Sequence, residues 1–244
     1  MKIRIHNSTY IFILLAFLAG YFEYIFLLLL IIIIHEGGHY IFGLIEGIKA
    51  SKIEVYPFGG CTIFDSELNI SIKKEFFCLI GGLVFQLIFF YLVYKLYLNG
   101  HVKSNTYFIF KKINILLLSF NFMPILPLDG GKLLNLILDL FFSYKLSNIL
   151  SIIISLIFIV IFALYNKTFF AIVLSIFLIK NIVLEYMNIK IKYNKFLLER
   201  YLYNYNFKKI KIVNNINLLY RDYTHIINNS FESKILRNIF DRTS

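Results

Sequence analysis

Charge is what this 244-residue sequence has least of. Only 16% of its residues are charged, 59% are hydrophobic, and mean hydropathy is +0.74. Soluble domains carry about 25% charge and roughly 45–50% apolar residues. The scarcity therefore excludes an ordinary soluble domain, and the apolar excess excludes a disordered chain. Twelve glycines are too few for a collagen-like repeat. Cysteine is nearly absent: Cys61 and Cys78 lack C-x-x-C spacing and cannot form a disulfide framework. They read as buried thiols in an apolar setting. Acidic residues are also scarce, 14 against 25 Lys and Arg, giving a net charge of +11. Twelve of those cations follow residue 179, behind the last long apolar run. Cations in such places set membrane topology. They form no basic stripe on a soluble domain, so no nucleic-acid partner is expected.

What the chain has is apolar runs. Tyr10 to Ile45 covers 36 residues and its first 25 contain one charge, Glu23. As one helix this would be about 54 Å long, against a hydrocarbon core of ~30 Å. Two spans turning near Gly20–Glu23 fit better, and no small-residue cleavage site marks the first as a removable signal peptide. Further spans read as Phe76–Leu98, Ile109–Phe122, Ser147–Tyr165 and Thr168–Tyr186. With six spans, twenty Lys and Arg fall on the side of both termini and five on the other. That asymmetry predicts cytoplasmic termini. Between the second and third spans, Lys52, Glu54 and Tyr56 alternate with Ile53, Val55 and Pro57, and Phe58-Gly59-Gly60 permits a turn before Cys61–Phe64. This reads as a β-hairpin. Open sheet edges are tolerated at membrane depth only where they are covered or line a cavity.

The fold class is thus a multi-pass α-helical membrane protein. It has about six transmembrane helices, a small membrane-associated β-hairpin or sheet and a short cytoplasmic α/β tail. Residues 1–188 are expected to form the membrane domain and 189–244 a basic tail. Within that tail Phe207–Val213 and Thr224–Asn228 read as strands, and Asn214–Tyr223 and Glu232–Phe240 as helices.

The chemistry lies in His35-Glu36-Gly37-Gly38-His39, directly behind the unbroken apolar run Ile25–Ile34. Histidines at i and i+4 share a helix face and can hold one zinc ion, with Glu36 placed to take a proton from the attacking water. Ionisable groups at such depth are costly and mark functional sites. A catalytic zinc takes three protein ligands, and no further ligand stands at helical spacing after His39. Asp129, in Asn121-Phe-Met-Pro-Ile-Leu-Pro-Leu-Asp-Gly-Gly131, is one carboxylate that could complete the set. Pro124 and Pro127 break the fourth span there, and a broken helix at depth must line a cavity or be packed by protein. The other reading of Asp129 is a helix-capping aspartate for Leu133–Phe142.

These residues carry a resemblance. His35-Glu36-x-Gly38-His39 together with Asn121-x-x-Pro124-x-x-x-Leu128-Asp129-Gly130 resembles the site-2 protease family of intramembrane zinc metalloproteases. The Tyr56–Gly60 region looks like that family's strand segment, and the similarity is strongest to the stage IV sporulation protein FB subgroup. It covers roughly residues 5–200. The resemblance implies Zn2+ held by His35, His39 and Asp129, with Glu36 as general base. It implies that Asn121 holds the substrate backbone or the oxyanion, and that the hairpin with Phe58, Gly59 and Gly60 pairs with an unwound substrate segment. It also implies a membrane-tethered pro-sigma factor as substrate, inhibitory membrane proteins as partners, and the mother-cell membrane around the forespore as location. Gly81-Gly82-Leu83-Val84-Phe85-Gln86 resembles the family's Gly-Pro-x-x-Asn element, with Leu83 and Gln86 departing from it. Gln86 is left either as a polar contact to substrate or as an interhelical hydrogen bond. The tail resembles a shortened CBS remnant, the alternative being a basic segment lying on anionic lipid. Two other functions are weighed: a membrane zinc carrier, which needs no glutamate between the histidines, and an inactive scaffold, which needs no intact motif.

Overall fold

The computed structural model describes residues 2–5, 7–48, 50–56, 59–64 and 68–241. Its elements run β1 (Lys2–Ile5), α1 (Asn7–Leu18), α2 (Phe22–Ile45), β2 (Ala50–Tyr56), β3 (Gly59–Phe64), α3 (Ile72–Leu98) and α4 (Ser104–Asn121). Then come α5 (Asp129–Phe141), α6 (Tyr144–Tyr165), α7 (Phe169–Tyr203), β4 (Ile210–Val213), β5 (Thr224–Ile227), β6 (Ser230–Phe231) and α8 (Glu232–Phe240).

All six apolar segments become helices: α1 to α4, α6 and α7. Among the described residues, four are long and apolar enough to cross a membrane: α2, α3, α6 and Ala171–Tyr203 of α7. Four of the six expected spans thus meet that measure of length and composition. With 12 residues, α1 reaches only about 18 Å. In α4, Lys111 and Lys112 fall in the middle of 18 residues and lie exposed. The turn between α1 and α2 falls where the sequence places it, with Gly20 at φ +78, a conformation open to glycine. Glu23 sits in the first turn of α2 and accepts a hydrogen bond from Thr106 Oγ1 of α4 at 2.6 Å.

The chain divides into two compact units, Met1–Ser66 with Lys74–Asn121, and Glu67–Lys73 with Phe122–Ser244. In the first, Leu27, Ile31 and Ile32 of α2 pack with Ile53 of β2 and with Ile109, Phe110 and Leu117 of α4. The expected hairpin is present: β2 and β3 are antiparallel, with Ile53 opposite Thr62 and Val55 opposite Gly60. An additional strand, β1, pairs parallel to β2 and makes the sheet order β1-β2-β3. Four residues are too short to announce a strand by alternation.

In the second unit, Ser147, Ser151 and Ser155 form a fully buried row on α6 at four-residue spacing. Ile153, Ile157, Val160, Ile161 and Leu164 of the same helix are exposed. Small hydroxyl residues inside and aliphatic residues outside is the pattern of helix packing in lipid. The Ser155 hydroxyl accepts from the Leu126 amide at 3.0 Å and so ties the proline-bearing loop to α6.

Residue 188 falls inside α7, which continues to Tyr203 and ends at Asn204 with φ 45. The tail then forms a sheet of order β4-β5-β6, with α8 over the residues expected for it. Instead of the expected helix Asn214–Tyr223, only Ile216–Leu218 makes a short 3-10 turn. Arg200 organises this region from a fully buried position. Its Nη1 donates to both Glu232 oxygens at 3.0 Å, Nη2 to the Tyr220 carbonyl at 2.8 Å, and Nε to Asn69 Oδ1 at 2.8 Å. Arg221 Nη1 pairs with buried Asp139 at 3.1 Å. Such buried pairs cost several kcal/mol when one partner is removed.

His225 in β5 is fully buried. The Tyr220 amide donates to its Nε2 at 2.9 Å, so the ring proton is on Nδ1, facing Glu232 Oε2 at 2.6 Å. Burial pushes the imidazole below its ordinary value, although the Glu232 hydrogen bond opposes the shift. The unfolded chain therefore binds a proton at higher pH than the folded one. The stabilisation is complete above about 6.5 and is lost as pH falls through the lower folded value. The apparent Tm of the tail is predicted to drop as pH falls below about 6.5, and the drop should be shallower in His225→Gln. Equal slopes in thermal scans of the two proteins would refute this.

Candidate metal centre

α2 buries His35, Glu36 and His39. One ligand atom from each lies within 4.8 Å of the others. The two Nε2 atoms stand 3.1 Å apart. Tetrahedral zinc with bonds of 2.0–2.1 Å would hold two such nitrogens about 3.3 Å apart.

The proton positions follow from the neighbours. His39 Nδ1 is 3.0 Å from the Cys78 carbonyl, which can only accept, so Nδ1 carries the proton. His35 Nδ1 is 2.9 Å from Gln86 Oε1. Gln86 Nε2 is 3.1 Å from the Asn114 carbonyl and 2.7 Å from Asn114 Oδ1. The backbone oxygen must face the amide nitrogen, which turns Oε1 toward His35 and again puts the ring proton on Nδ1. Both Nε2 lone pairs then face one another, a donor set that fits a cation.

Space is kept by glycine. A Cβ on Gly82 would lie 2.4 Å from His39 Nε2 and 2.9 Å from the ring of His35. Gly38 and Gly81 let α2 and α3 touch: a Cβ on either would come within 2.3–2.5 Å of the other's carbonyl oxygen. The Gly-Gly pair thus performs a close-approach role despite Leu83 at the next position.

Glu36 is held from β3. Thr62 Oγ1 donates to Glu36 Oε2 at 2.7 Å. A Cβ on Gly60 would lie 2.3 Å from Glu36 Cγ. Alternate strand residues share a face, so Gly60 and Thr62 meet the glutamate together. Thr62, Asn114 and the Cys78 carbonyl were not singled out in the sequence; the i, i+2 relation of Thr62 to Gly60 was the available signal. Gly59 pairs with Tyr56, and a Cβ there would meet nothing within 4 Å. Phe58 lies outside the described residues.

Asn121 ends α4, and its Nδ2 is 3.2 Å from His35 Nε2, so an amide donor faces the place between the histidines. Gln86 is almost fully buried and hydrogen-bonds His35 and Asn114. That is an interhelical arrangement.

Asp129 belongs to the second unit and is the first residue of α5; the N-cap is Leu128. Its Oδ1 accepts from Lys132 Nζ at 3.1 Å. A Cβ on Gly130 would come 2.4 Å from the Phe122 carbonyl oxygen, and one on Gly131 2.4 Å from the Ile125 carbonyl carbon. Both glycines are therefore needed for the loop to fold against the start of α5.

A histidine pair with an adjacent glutamate, buried on one helix of a multi-helix apolar chain, is a donor set suited to a metal ion and to activation of a water beside it. The Peptidase M50B-like family profile matches residues 7–125. Stage IV sporulation protein FB of Bacillus subtilis is 31% identical over 137 residues, 56% of this chain and 48% of that protein. A zinc metalloprotease of Methanocaldococcus jannaschii is 30% identical over 126 residues, 49% of this chain and 36% of that protein. The matches thus span less than half the length of either curated relative. The fold matches the solved site-2 protease of M. jannaschii with a TM-score of 0.58 and 23% identity, over 75% of this chain and 89% of that one. The chain is thus similar to site-2 proteases in fold, and to the Peptidase M50B-like profile over residues 7–125. The M. jannaschii relative is named a zinc metalloprotease, and the His35–His39 pair suits that metal.

Gly60→Ala should displace the Glu36 carboxylate while leaving the histidines in place. The variant is predicted to retain wild-type zinc content and Tm but to lose about 10²-fold or more of any Glu36-dependent hydrolysis. Unchanged hydrolysis would show that β3 does not set the position of Glu36.

Proposed function

We propose that this chain is an intramembrane zinc endopeptidase that cuts membrane-tethered proteins. The observation carrying the reading is the buried Glu36 carboxylate, fixed by Thr62 beside two imidazole lone pairs. Bound zinc would supply Lewis acidity, polarising the scissile carbonyl and making water nucleophilic at neutral pH. In this reading His35, His39 and Asp129 hold the metal. Glu36 takes the proton of the attacking water and returns it to the leaving amine. The Asn121 amide donates to the oxyanion as it develops. An unwound substrate segment adds to the edge strand β3 beside Gly59 and Gly60, because β3 is terminal in the order β1-β2-β3.

The substrate in this proposal is a pro-sigma factor of sporulation, with inhibitory membrane proteins as partners. The name of the Bacillus subtilis relative supports that choice. The charge asymmetry supports cytoplasmic termini, with residues 1–188 as the protease domain, 189–244 as a basic tail of CBS-like descent, and the mother-cell membrane as site of action.

The test is co-expression with tethered pro-sigma factors. Glu36→Gln is predicted to lower cleavage at least about 10²-fold while the purified protein keeps its zinc. His35→Ala should lose both. Cleavage by Glu36→Gln at the wild-type rate would sink the assignment.

A further inference from the structure

We infer that Gln86, braced by Asn114, is a positioning residue that fixes the orientation and ring tautomer of His35 for zinc. The inference rests on the two histidines being a zinc site. It does not depend on what the protein cleaves.

Three observations carry it. First, Gln86 has 1% exposure and Asn114 4%, so neither amide can satisfy itself with bulk water. Second, the hydrogen bonds of the Gln86 amide have one arrangement. Its NH2 donates to the carbonyl oxygen and Oδ1 of Asn114, at 3.1 and 2.7 Å. Its oxygen is then left to accept from His35 Nδ1 at 2.9 Å. Third, the partner of His39 Nδ1 is a main-chain carbonyl of the same helix, that of Cys78.

The two ligands are thus held by unlike means. Helix α3 carries both second partners, eight residues apart, about 12 Å along the axis. The His39 partner is part of the backbone and cannot turn. The His35 partner is a side-chain amide, which could rotate and present its NH2 to the ring. A Gln86 turned that way would donate to Nδ1 and drive the ring proton onto Nε2, removing the lone pair that zinc needs. Asn114, on α4, blocks that rotation, because both its Oδ1 and its backbone oxygen would then face another oxygen. Outer partners of this kind orient metal-bound histidines, and losing one costs about 10–100-fold in metal affinity.

The experiment uses the full chain in detergent, stripped of metal and titrated with zinc against a chromophoric chelator. Gln86→Met keeps length and loses both polar contacts. It is predicted to weaken zinc about 10–100-fold in a metal-free protein that is still folded. Asn114→Leu removes only the side-chain brace and leaves the backbone oxygen, so its loss should be smaller. The double variant should bind zinc no more weakly than Gln86→Met, because Asn114 acts through Gln86. Cobalt(II)-loaded Asn114→Leu provides a second readout that needs no variant at 86: its visible band should shift from that of the wild type as His35 reorients.

Wild-type zinc affinity in Gln86→Met overturns the proposal, as does an additive loss in the double variant or an unshifted cobalt spectrum. Gln86→Met that binds zinc normally but cleaves poorly would make Gln86 a substrate contact instead. The protease reading fails separately, by absence of Glu36-dependent cleavage in a wild type that binds zinc.

Discussion

Two imidazole lone pairs converge at 3.1 Å in an interior with almost no water-facing surface. Each ring has already spent its proton on the far side, one on Gln86 and one on the Cys78 carbonyl. Neither Nε2 can therefore donate to the other, and the Asn121 amide, 3.2 Å from His35 Nε2, brings a donor to the pair. The rest of the first unit is arranged around these two rings. Helix α3 must approach α2 closely enough for a backbone carbonyl to reach His39, which only glycine at 38 and 81 allows. The same approach leaves no room for a side chain at 82. The sheet then delivers Thr62 and Gly60 to Glu36 from the strand side.

The polarity of the whole chain follows the same inverted logic. Aliphatic side chains of α6 point outward while its serines turn in, because lipid offers helices no hydrophobic reward for associating. Polar contacts and close packing must hold them instead. In the tail the solution changes to one suited to a wet environment: an aromatic and aliphatic core of Tyr144, Tyr193, Phe196, Leu219 and Leu236, crossed by the Arg200–Glu232 pair. A buried charge pair of that sort contributes a unique arrangement more than stability. It is surrounded by acceptors on Tyr220, Tyr223 and Asn69, so that the guanidinium is well used.

Much of this was legible in the residues because it is local. The His35-Glu36-His39 spacing needs only one helix, and the apolar runs and Gly20 turn need only composition and length. The hairpin was readable from alternation, and α8 from its own pattern. What was hidden is what depends on partners distant in sequence. Gln86 is 51 residues from His35 and its amide reads equally as a substrate contact or as a structural bond until Asn114 is placed beside it. Strand β1 is four residues long and exists because β2 accepts it in parallel. The helix expected over Asn214–Tyr223 fails because Tyr220 and Tyr223 give their carbonyls to Arg200, which ties that segment to a buried side chain instead of to itself.

Asp129 shows how far local constraint can bear on a functional role. A capping aspartate needs only a helix start, and here Leu128 holds the cap position. The surrounding loop is over-determined for a cap. Leu126 is pinned to Ser155, the Leu128 amide returns to Ile125 at 2.9 Å, and Gly130 and Gly131 lie against the Phe122, Met123 and Ile125 backbone. Ser155 is itself anchored, donating to the Ser151 carbonyl at 2.7 Å. A carboxylate that merely caps can ride on a loose connection at little cost. One that must meet a metal has to be held to within about 0.5 Å by packing behind it. The packing of residues 122–131 against their own backbone and Ser155 is therefore what fixes the position of Asp129 at the start of α5.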